Sequence, residues 1–257
     1  MIPEERRKNI LIKLRENGYA KPENLAEYLG VSKITILRDI QVLKNQGDIK
    51  KIRGGIKITE DLEKNLEPSF YIRMQKNFSK KMDIAKKSFI YLTDSKNIFL
   101  DSSSTVFVFA VEILKNFERD KNFITNSPAI IAEAIKYPQV NLISTGGELK
   151  QDFNIFGGHW VNEFLEKINI DCAFVSCAGV SSSGWVTTNN KDLSIILMHI
   201  LKKAKKVNLL ADSTKFFKEG MLNIAHLSNF SRLVTDNELS MNILKLIRKI
   251  SDIEVIN

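Results

Sequence analysis

Two short helical patterns separated by only three residues lie between positions 22 and 46. This spacing constrains the fold more than any other feature of the chain. Their apolar positions are Leu25, Ala26 and Leu29 in the first pattern and Ile36, Ile40 and Leu43 in the second. Gly30 ends the first pattern and Ser32 is a typical N-cap for the second. Two helices joined by so short a link are typical of a helix-turn-helix.

The flanking residues extend this motif on both sides. A preceding helix is predicted from the spacing of Ile10, Leu11 and Leu14, with its end at Asn17-Gly18. After Gln46-Gly47, apolar and basic residues alternate on either side of Gly54-Gly55 as far as Ile58. This pattern predicts a short β-hairpin. Residues 1–58 are therefore predicted to form a winged helix-turn-helix.

Eight residues of this segment are candidate DNA contacts. The helix that begins at Ser32 would lie in the major groove, with its N-terminal residues near base edges. Residues outside its apolar stripe are Ser32, Lys33, Thr35, Arg38 and Gln41. On the wing, Lys50, Lys51 and Arg53 are candidates for phosphate or minor-groove contacts. Arg38 carries the forked guanidinium that matches a guanine edge or a phosphate.

The charge of the chain is concentrated in the same segment. The formal net charge is +8, and residues 1–58 hold thirteen Lys and Arg against seven Asp and Glu. The remaining residues are almost balanced, with twenty-five against twenty-three. This asymmetry favours a polyanionic partner for the N-terminal segment. The alternative is a three-helix packing domain that binds no nucleic acid.

At 257 residues the chain suits about two domains. Residues 59–79 are charged and poorly periodic, which predicts a linker before a second domain at 80–257. We expect neither a secretory signal nor a bilayer-spanning stretch. Cys172 and Cys177 are predicted on one buried strand, on opposite faces, where they would not pair. Buried free thiols favour the cytoplasm.

The second domain alternates short apolar runs with helical patterns. Strands are predicted at 98–101, 122–125, 140–144, 171–178, 207–211 and 232–235. Helices are predicted between them at 106–115, 129–136, 161–168 and 193–203. This alternation predicts a doubly wound α/β sheet. The fold class is thus α/β, with an N-terminal winged helix-turn-helix.

Ligands of such sheets bind beyond the carboxyl ends of the strands, where helix N-termini offer free amides. Polar or glycine residues follow five of the predicted strands. The candidate effector-binding residues are Asp101, Ser102, Ser103, Ser104, Thr105, Asn126, Ser127, Gly146, Gly147, Gly179, Asp212 and Lys215. Taken singly, each is more often an ordinary helix cap or turn. Taken together, they favour a ligand crevice.

The chain resembles the DeoR family of transcriptional regulators. The resemblance lies in residues 23–40 and 53–56 of the first domain and in 101–105, 125–127, 146–148 and 211–216 of the second. It implies a sensor domain similar to ribose-5-phosphate isomerase that binds a phosphorylated sugar or polyol. It also implies operator DNA as a partner, a homodimer or homotetramer, and repression of carbohydrate or polyol genes.

Four positions depart from the family pattern. Leu37 stands where the recognition helix usually has a first arginine, and Arg53 stands where the wing usually has histidine. Ser103 replaces a common glycine, and Leu197 replaces a usual lysine. The last two keep open a constitutive DNA-binding protein whose sensor fold serves only oligomerisation.

An isomerase-like enzyme is the remaining alternative. Isomerisation needs a positioned general base and an oxyanion stabiliser. The sequence contains acidic candidates, but no spacing singles out a catalytic pair. The P-loop and dinucleotide motifs are absent from the sequence, and its three histidines have no metal-ligand spacing. We therefore expect no catalytic residues, no metal and no cofactor.

Overall fold

The computed structural model describes residues 2–59, 70–92, 95–116 and 120–257. The chain divides into two compact units, Met1–Arg73 and Met74–Asn257. The second unit begins before the predicted boundary at residue 80. Residues 60–69 of the predicted linker lie outside the described residues.

The first unit contains every element predicted for it. These are α1 (Pro3–Asn17), α2 (Pro22–Leu29), α3 (Lys33–Asn45), β1 (Ile49–Ile52) and β2 (Gly55–Ile58). Gly30 ends α2 in the left-handed conformation, with φ 63°. The Ser32 hydroxyl caps α3 by accepting a hydrogen bond of 3.2 Å from the Thr35 amide. The link between the two helices thus follows from its residue types.

The core of this unit is built from the apolar stripes of the three helices and from the wing. Ile10, Leu25 and Ile36 are almost fully buried beside Ile56 of β2. An ion pair also holds α3 to α1, since the buried Asp39 carboxylate accepts from Arg6 Nε at 2.5 Å. Arg7 Nη1 lies 3.5 Å from the same carboxylate. The orientation of α3 is therefore fixed by apolar packing and by a buried charge.

The remainder of the chain alternates helices and strands. In chain order the elements are α4 (Phe70–Gln75), α5 (Phe78–Ser88), β3 (Asn97–Leu100), α6 (Ser104–Asn116), β4 (Asn122–Thr125), α7 (Pro128–Ala134), β5 (Asn141–Ser144), β6 (Glu148–Lys150), β7 (Ile155–Gly157), α8 (His159–Lys167), β8 (Ile170–Val175), β9 (Gly179–Val180), β10 (Trp185–Thr188), α9 (Lys191–Lys203), β11 (Ala204–Leu210), β12 (Leu222–His226), β13 (Arg232–Val234), α10 (Met241–Ile250) and β14 (Glu254–Ile256).

A parallel sheet of the order β14-β13-β11-β8-β3-β4-β5 forms the centre of the second unit. Helices α8, α9 and α10 cover one face, and α5, α6 and α7 cover the other. Successive residues of β3 enter opposite cores, with Phe99 on the first face and Ile98 on the second. The doubly wound α/β fold predicted from the sequence is confirmed.

The strand order reverses between β3 and β8. From β3 the chain runs outward through β4 and β5, and it returns to β8 before running outward on the other side. The carboxyl ends of all these strands lie at one edge. This switch point is the usual position of a ligand crevice in such sheets.

One predicted strand is too long, and several short strands were not predicted. The run at 171–178 ends as a strand at Val175, so Cys177 lies in the following loop and not on the strand. Both cysteines are nevertheless buried and free. The small sheet β12-β10-β9, the β6-β7 hairpin and β14 escaped prediction because strands of two to five residues give little periodicity. Within the described ranges, no helix has both the length and the apolar character that a bilayer crossing requires.

Candidate DNA-binding surface and effector crevice

The outward face of α3 combines one arginine with two apolar side chains. Arg38 is exposed, and within the described part of the chain it makes no hydrogen bond or ion pair. Ile34 is 65% exposed and Leu37 is 43% exposed on the same side of the helix. A solvent-facing surface of this kind has a forked cation and apolar groups available for the edges of base pairs.

The four other candidate residues of α3 and its N-cap already have intramolecular partners. Lys33 forms an exposed ion pair with Glu23 of α2, with an Nζ to Oε1 distance of 2.5 Å. Gln41 donates from its side-chain amide to Asn45 Oδ1 at 2.9 Å. The hydroxyls of Ser32 and Thr35 lie 2.9 Å apart at the start of the helix. Such surface partners are weakly held and exchange readily with solvent or a ligand.

The register of the wing separates its basic residues into two groups. Lys50 pairs with Lys57, and Lys51 pairs with the buried Ile56. Lys50 and Lys57 therefore share the outer face of the hairpin, whereas Lys51 lies at the edge of the core-facing side. Arg53 is exposed at the turn. Lys57 was not among the predicted contacts, although counting alternate positions back from Ile58 would have placed it on that outer face.

At the switch point, Asp101 joins the loops that follow β3 and β8. Its carboxylate accepts from the Ser103 amide at 2.8 Å and from the Ser176 amide at 2.8 Å. The side chain is completely buried. Asp101 thus holds two adjacent strand ends in register, a structural role that the sequence pattern did not reveal.

The serine run that follows Asp101 forms the start of α6. Ser103 caps the helix by accepting from the Val106 amide at 3.2 Å. Ser102, Ser104 and Thr105 are buried around it. A helix N-terminus leaves backbone amides available, and these amides favour an anion such as phosphate.

Asn126, directly after β4, is the least satisfied polar group at this edge. Its side chain is fully buried, and neither its amide oxygen nor its amide nitrogen has a hydrogen-bond partner within the described part of the chain. Its neighbour Ser127 caps α7 by accepting from the Ile130 amide at 3.4 Å. Leaving a buried polar group unpaired costs about 1–3 kcal/mol. Such a group is well suited to bind the hydroxyls of a ligand.

Two of the candidate glycines are required by close packing. A side chain at Gly147, where φ is 112°, would place its Cβ 2.7 Å from the carbonyl oxygen of Gly157. A Cβ at Gly179 would lie 2.3 Å from the carbonyl oxygen of Lys218. Gly146 has a φ of 62° with open space around it. Gly179 therefore lets the loop after Lys215 lie directly on the β9 backbone.

We expect Gly179→Ala to destabilise the second unit by about 1–3 kcal/mol, because backbone atoms must move to make room for the methyl group. Thermal unfolding of the full chain would measure the loss. Gly146→Ala is the matched control, since its methyl group meets no neighbour and only the left-handed backbone opposes it, at a cost of about 1–2 kcal/mol. Faster hydrogen exchange at residues 216–221 in Gly179→Ala alone would identify the displaced loop. Equal exchange in both variants would contradict this role.

Asp212 and Lys215 follow β11, and the Asp212 carboxylate is already engaged. It accepts from the Thr214 amide at 3.0 Å and from the Thr214 hydroxyl at 2.5 Å. It is also 3.4 Å from the side-chain amide of Asn77. Asp212 therefore organises its own loop, and Lys215 is the cationic side chain that this loop contributes at the strand ends.

Cys177 lies beside the same groups. Burial raises the pKa of its thiol to about 12, and the charges of Lys215, Asp212 and Asp101 all act on it. The thiol is therefore neutral and unreactive at physiological pH. Sequence reasoning treated this cysteine only as a marker of redox environment and missed its position between the loops after β3 and β11.

Leu197 belongs to the apolar core on one face of the sheet and is 1% exposed. In this chain the position contributes apolar packing and no charged side chain. No group of three or more His, Cys, Asp or Glu residues suited to a metal ion occurs among the described residues.

Comparison with known proteins agrees with this architecture over nearly the whole chain. A family model described as "DeoR-like helix-turn-helix domain" matches residues 6–61, and one described as "DeoR C terminal sensor domain" matches residues 76–237. The L-fucose operon activator of Escherichia coli (strain K12) is 31% identical over 83% of this chain and 87% of its own length. A putative aga operon transcriptional repressor of Escherichia coli O157:H7 is 26% identical over 98% of this chain and 93% of its own.

Among solved structures, ribose 5-phosphate isomerase A from Methanocaldococcus jannaschii matches with a TM-score of 0.41 and 18% identity, over 55% of each chain. The two relatives named above are an operon activator and a putative operon repressor. The two family models together cover both units, and the relatives match along most of their length. The chain therefore belongs to the DeoR family of DNA-binding transcriptional regulators.

Proposed function

We propose that this regulator binds a specific operator through α3 and the wing and represses carbohydrate or polyol genes under the control of a phosphorylated sugar or polyol. The observation that carries the DNA-binding half is the exposed Arg38, flanked on the outer face of α3 by Ile34 and Leu37. Because Arg38 has no partner among the described residues, it gives up no interaction within them when it binds a guanine.

Individual contacts divide by chemistry. Arg38, Thr35 and Gln41 are proposed to reach base edges, and Ser32 and Lys33 to bind the adjacent phosphates. Wing residues Lys50, Lys51 and Arg53 are proposed to bind phosphates or enter the minor groove. Lys57 joins this set because it shares the outer wing face with Lys50.

The effector is proposed to bind at the carboxyl ends of β3, β4, β5, β8 and β11. The N-terminus of α6 would receive the phosphate through the amides of Ser104 and Thr105, since the Ser103 and Val106 amides already donate to Asp101 and Ser103. Asn126 would bind a hydroxyl with its unpaired amide. Lys215 would add a positive charge from the other side of the switch point. The remaining candidates shape the crevice: Asp101, Ser102, Ser103, Ser127, Gly146, Gly147, Gly179 and Asp212.

We propose that the protein acts in the cytoplasm as a homodimer or homotetramer. A symmetric operator presents two half-sites. Two copies of the helix-turn-helix unit, which we call the DNA-binding heads, are needed to occupy both. Two buried free thiols agree with a reducing compartment.

Thermal unfolding of the full chain with a panel of sugar and polyol phosphates tests the effector proposal. A compound present at 100 times its Kd stabilises the folded state by about 2.7 kcal/mol. We expect one compound to raise Tm by several degrees, and Lys215→Ala to abolish the shift. Lys167→Ala is the control, because Lys167 pairs with Glu163 on the exposed surface of α8.

A second candidate function follows from Leu197. Its burial leaves the crevice without a charge from α9 at this position, which favours a sensor fold kept only for oligomerisation. No shift with any compound of the panel, for a chain that still binds its operator, would support this candidate. A shift that survives Lys215→Ala would instead place the ligand elsewhere.

A further inference from the structure

The first helix of the second unit and the residue before it are bonded to the loops that follow two neighbouring strands, β11 and β13. Helix α5 begins at Phe78, immediately after the stretch of chain that leads from the helix-turn-helix. Asn77 donates to Thr214 Oγ1 at 3.1 Å and to Asp212 Oδ1 at 3.4 Å. These bonds connect the residue that precedes α5 to the loop after β11.

Lys80, one turn further along, reaches the loops after both β11 and β13. Its ammonium donates to Ser213 Oγ at 2.8 Å, to Asp236 Oδ1 at 3.3 Å and to Glu238 Oε2 at 2.6 Å. The Asp236 carboxylate also accepts from the Ser213 amide at 2.6 Å. The two loops are thus joined to each other as well as to α5.

Together these groups form a polar cluster that we name the α5 clamp. It consists of Asn77, Lys80, Asp212, Ser213, Thr214, Asp236 and Glu238. Burial alone would raise the pKa of Asp236, but the amides of Ser213 and Glu238 and the charge of Lys80 outweigh it and lower that pKa. The clamp therefore holds an ionised carboxylate opposite a lysine with little exposed surface.

Two features distinguish Asn77 and Lys80 from an ordinary surface contact. Asn77 has a φ of 56°, a left-handed conformation that asparagine adopts more readily than most other non-glycine residues. Lys80 also divides its charge between a carboxylate that is 2% exposed, on Asp236, and one that is 72% exposed, on Glu238. A lysine with one buried and one exposed partner can exchange between them when the loop beneath it moves.

We propose that the α5 clamp transmits the state of the effector crevice to the DNA-binding heads. The proposal rests on the proposed effector crevice, because the clamp includes the loop that carries Lys215. A ligand that draws Lys215 inward displaces residues 212–214, and the bonds from Asn77 and Lys80 pass this displacement to the start of α5. A shift at the start of α5 is the proposed link between the occupied crevice and the operator affinity of the heads.

Operator binding by the full chain tests the clamp even without an effector. Asn77→Gly tolerates the left-handed backbone and removes the side-chain bonds, and Lys80→Met removes the charge while keeping most of the length of the side chain. Lys205→Met is the matched control. Lys205 forms a 2.8 Å ion pair with Asp171 near the amino-terminal ends of β11 and β8, at the end of the strands away from the clamp.

The DNA probes are an operator selected with the wild-type protein and an unrelated duplex of equal length. We expect both clamp variants to change the Kd for the operator at least fivefold and to leave binding of the unrelated duplex unchanged, because the heads themselves are intact. Lys205→Met should match the wild type on both probes. Circular dichroism and Tm establish folding, and Lys80→Arg, which keeps the charge, should restore the wild-type Kd.

With any sugar phosphate that shifts Tm of the wild type, the clamp variants should still show the shift, while their operator Kd no longer responds. Folded variants that keep both the wild-type operator Kd and its response would overturn the clamp and leave the effector proposal standing. If no compound in the panel binds, the operator Kd without ligand decides the role of the clamp alone.

Discussion

Replacing Arg38 by alanine is expected to remove sequence preference at one base pair of each half-site. A bidentate contact between arginine and guanine contributes about 1–3 kcal/mol of discrimination, or roughly 5- to 150-fold in affinity. Arg38 is the exposed arginine of α3, and Leu37 beside it cannot replace its hydrogen bonds. The measurement is competition between the selected operator and its single-base variants, at one fixed salt concentration.

Lys51→Ala provides the contrast. A lysine that binds phosphate weakens binding to all sequences by a similar factor and reduces the slope of log K against log salt by about 1. If Arg38→Ala behaved like Lys51→Ala, its guanidinium would be a phosphate ligand. If it kept both the affinity and the ranking of base substitutions, α3 would not be the element that reads the operator.

The second large effect is expected from Asp39→Ala. This carboxylate is 4% exposed and pairs with Arg6, which is 12% exposed. Removing one member of a buried ion pair costs about 3–5 kcal/mol, and here both Arg6 and Arg7 lose their contact with the carboxylate. Helix α3 should therefore lose its fixed position against α1, and the whole DNA-binding unit should open more often.

Hydrogen exchange of amides in α1 and α3 of the full chain measures this loss without isolating the unit. Glu23→Gln is the control, since it also removes a carboxylate that pairs with a basic residue, but on the exposed surface. It should leave exchange unchanged. Equal protection of α1 and α3 in Asp39→Ala and the wild type would mean that apolar packing alone holds the recognition helix.

The sequence was sufficient for the first unit because its determinants are local. A cap at Ser32, a left-handed glycine at Gly30 and a helical stripe through Ile36 each act within a few residues. The contact between Asp39 and Arg6 spans most of the unit, and no local pattern indicates it. Lys57 is a different case, because its place between the buried Ile56 and Ile58 indicates the outer face of the wing from local alternation alone.

In the second unit, periodicity predicted the layers of the fold but not the partners of the polar residues. The sequence pattern marks Asp101 and Asp212 as candidate ligand groups, whereas their carboxylates also organise loops by accepting from amides near and far along the chain. It marks Gly179 as a ligand contact, but the close packing that requires a glycine there depends on the distant Lys218. Such roles depend on which loops meet at the strand ends.

The burial of both cysteines makes it practical to measure the distance between two DNA-binding heads. Since Cys172 and Cys177 are free but enclosed, the folded chain offers no reactive thiol at its surface. One cysteine introduced on the exposed side of α2 would then take a spin label or fluorophore selectively, with the native core intact. In an assembly of identical chains, the distance between these labels would report directly how far apart two recognition helices are held.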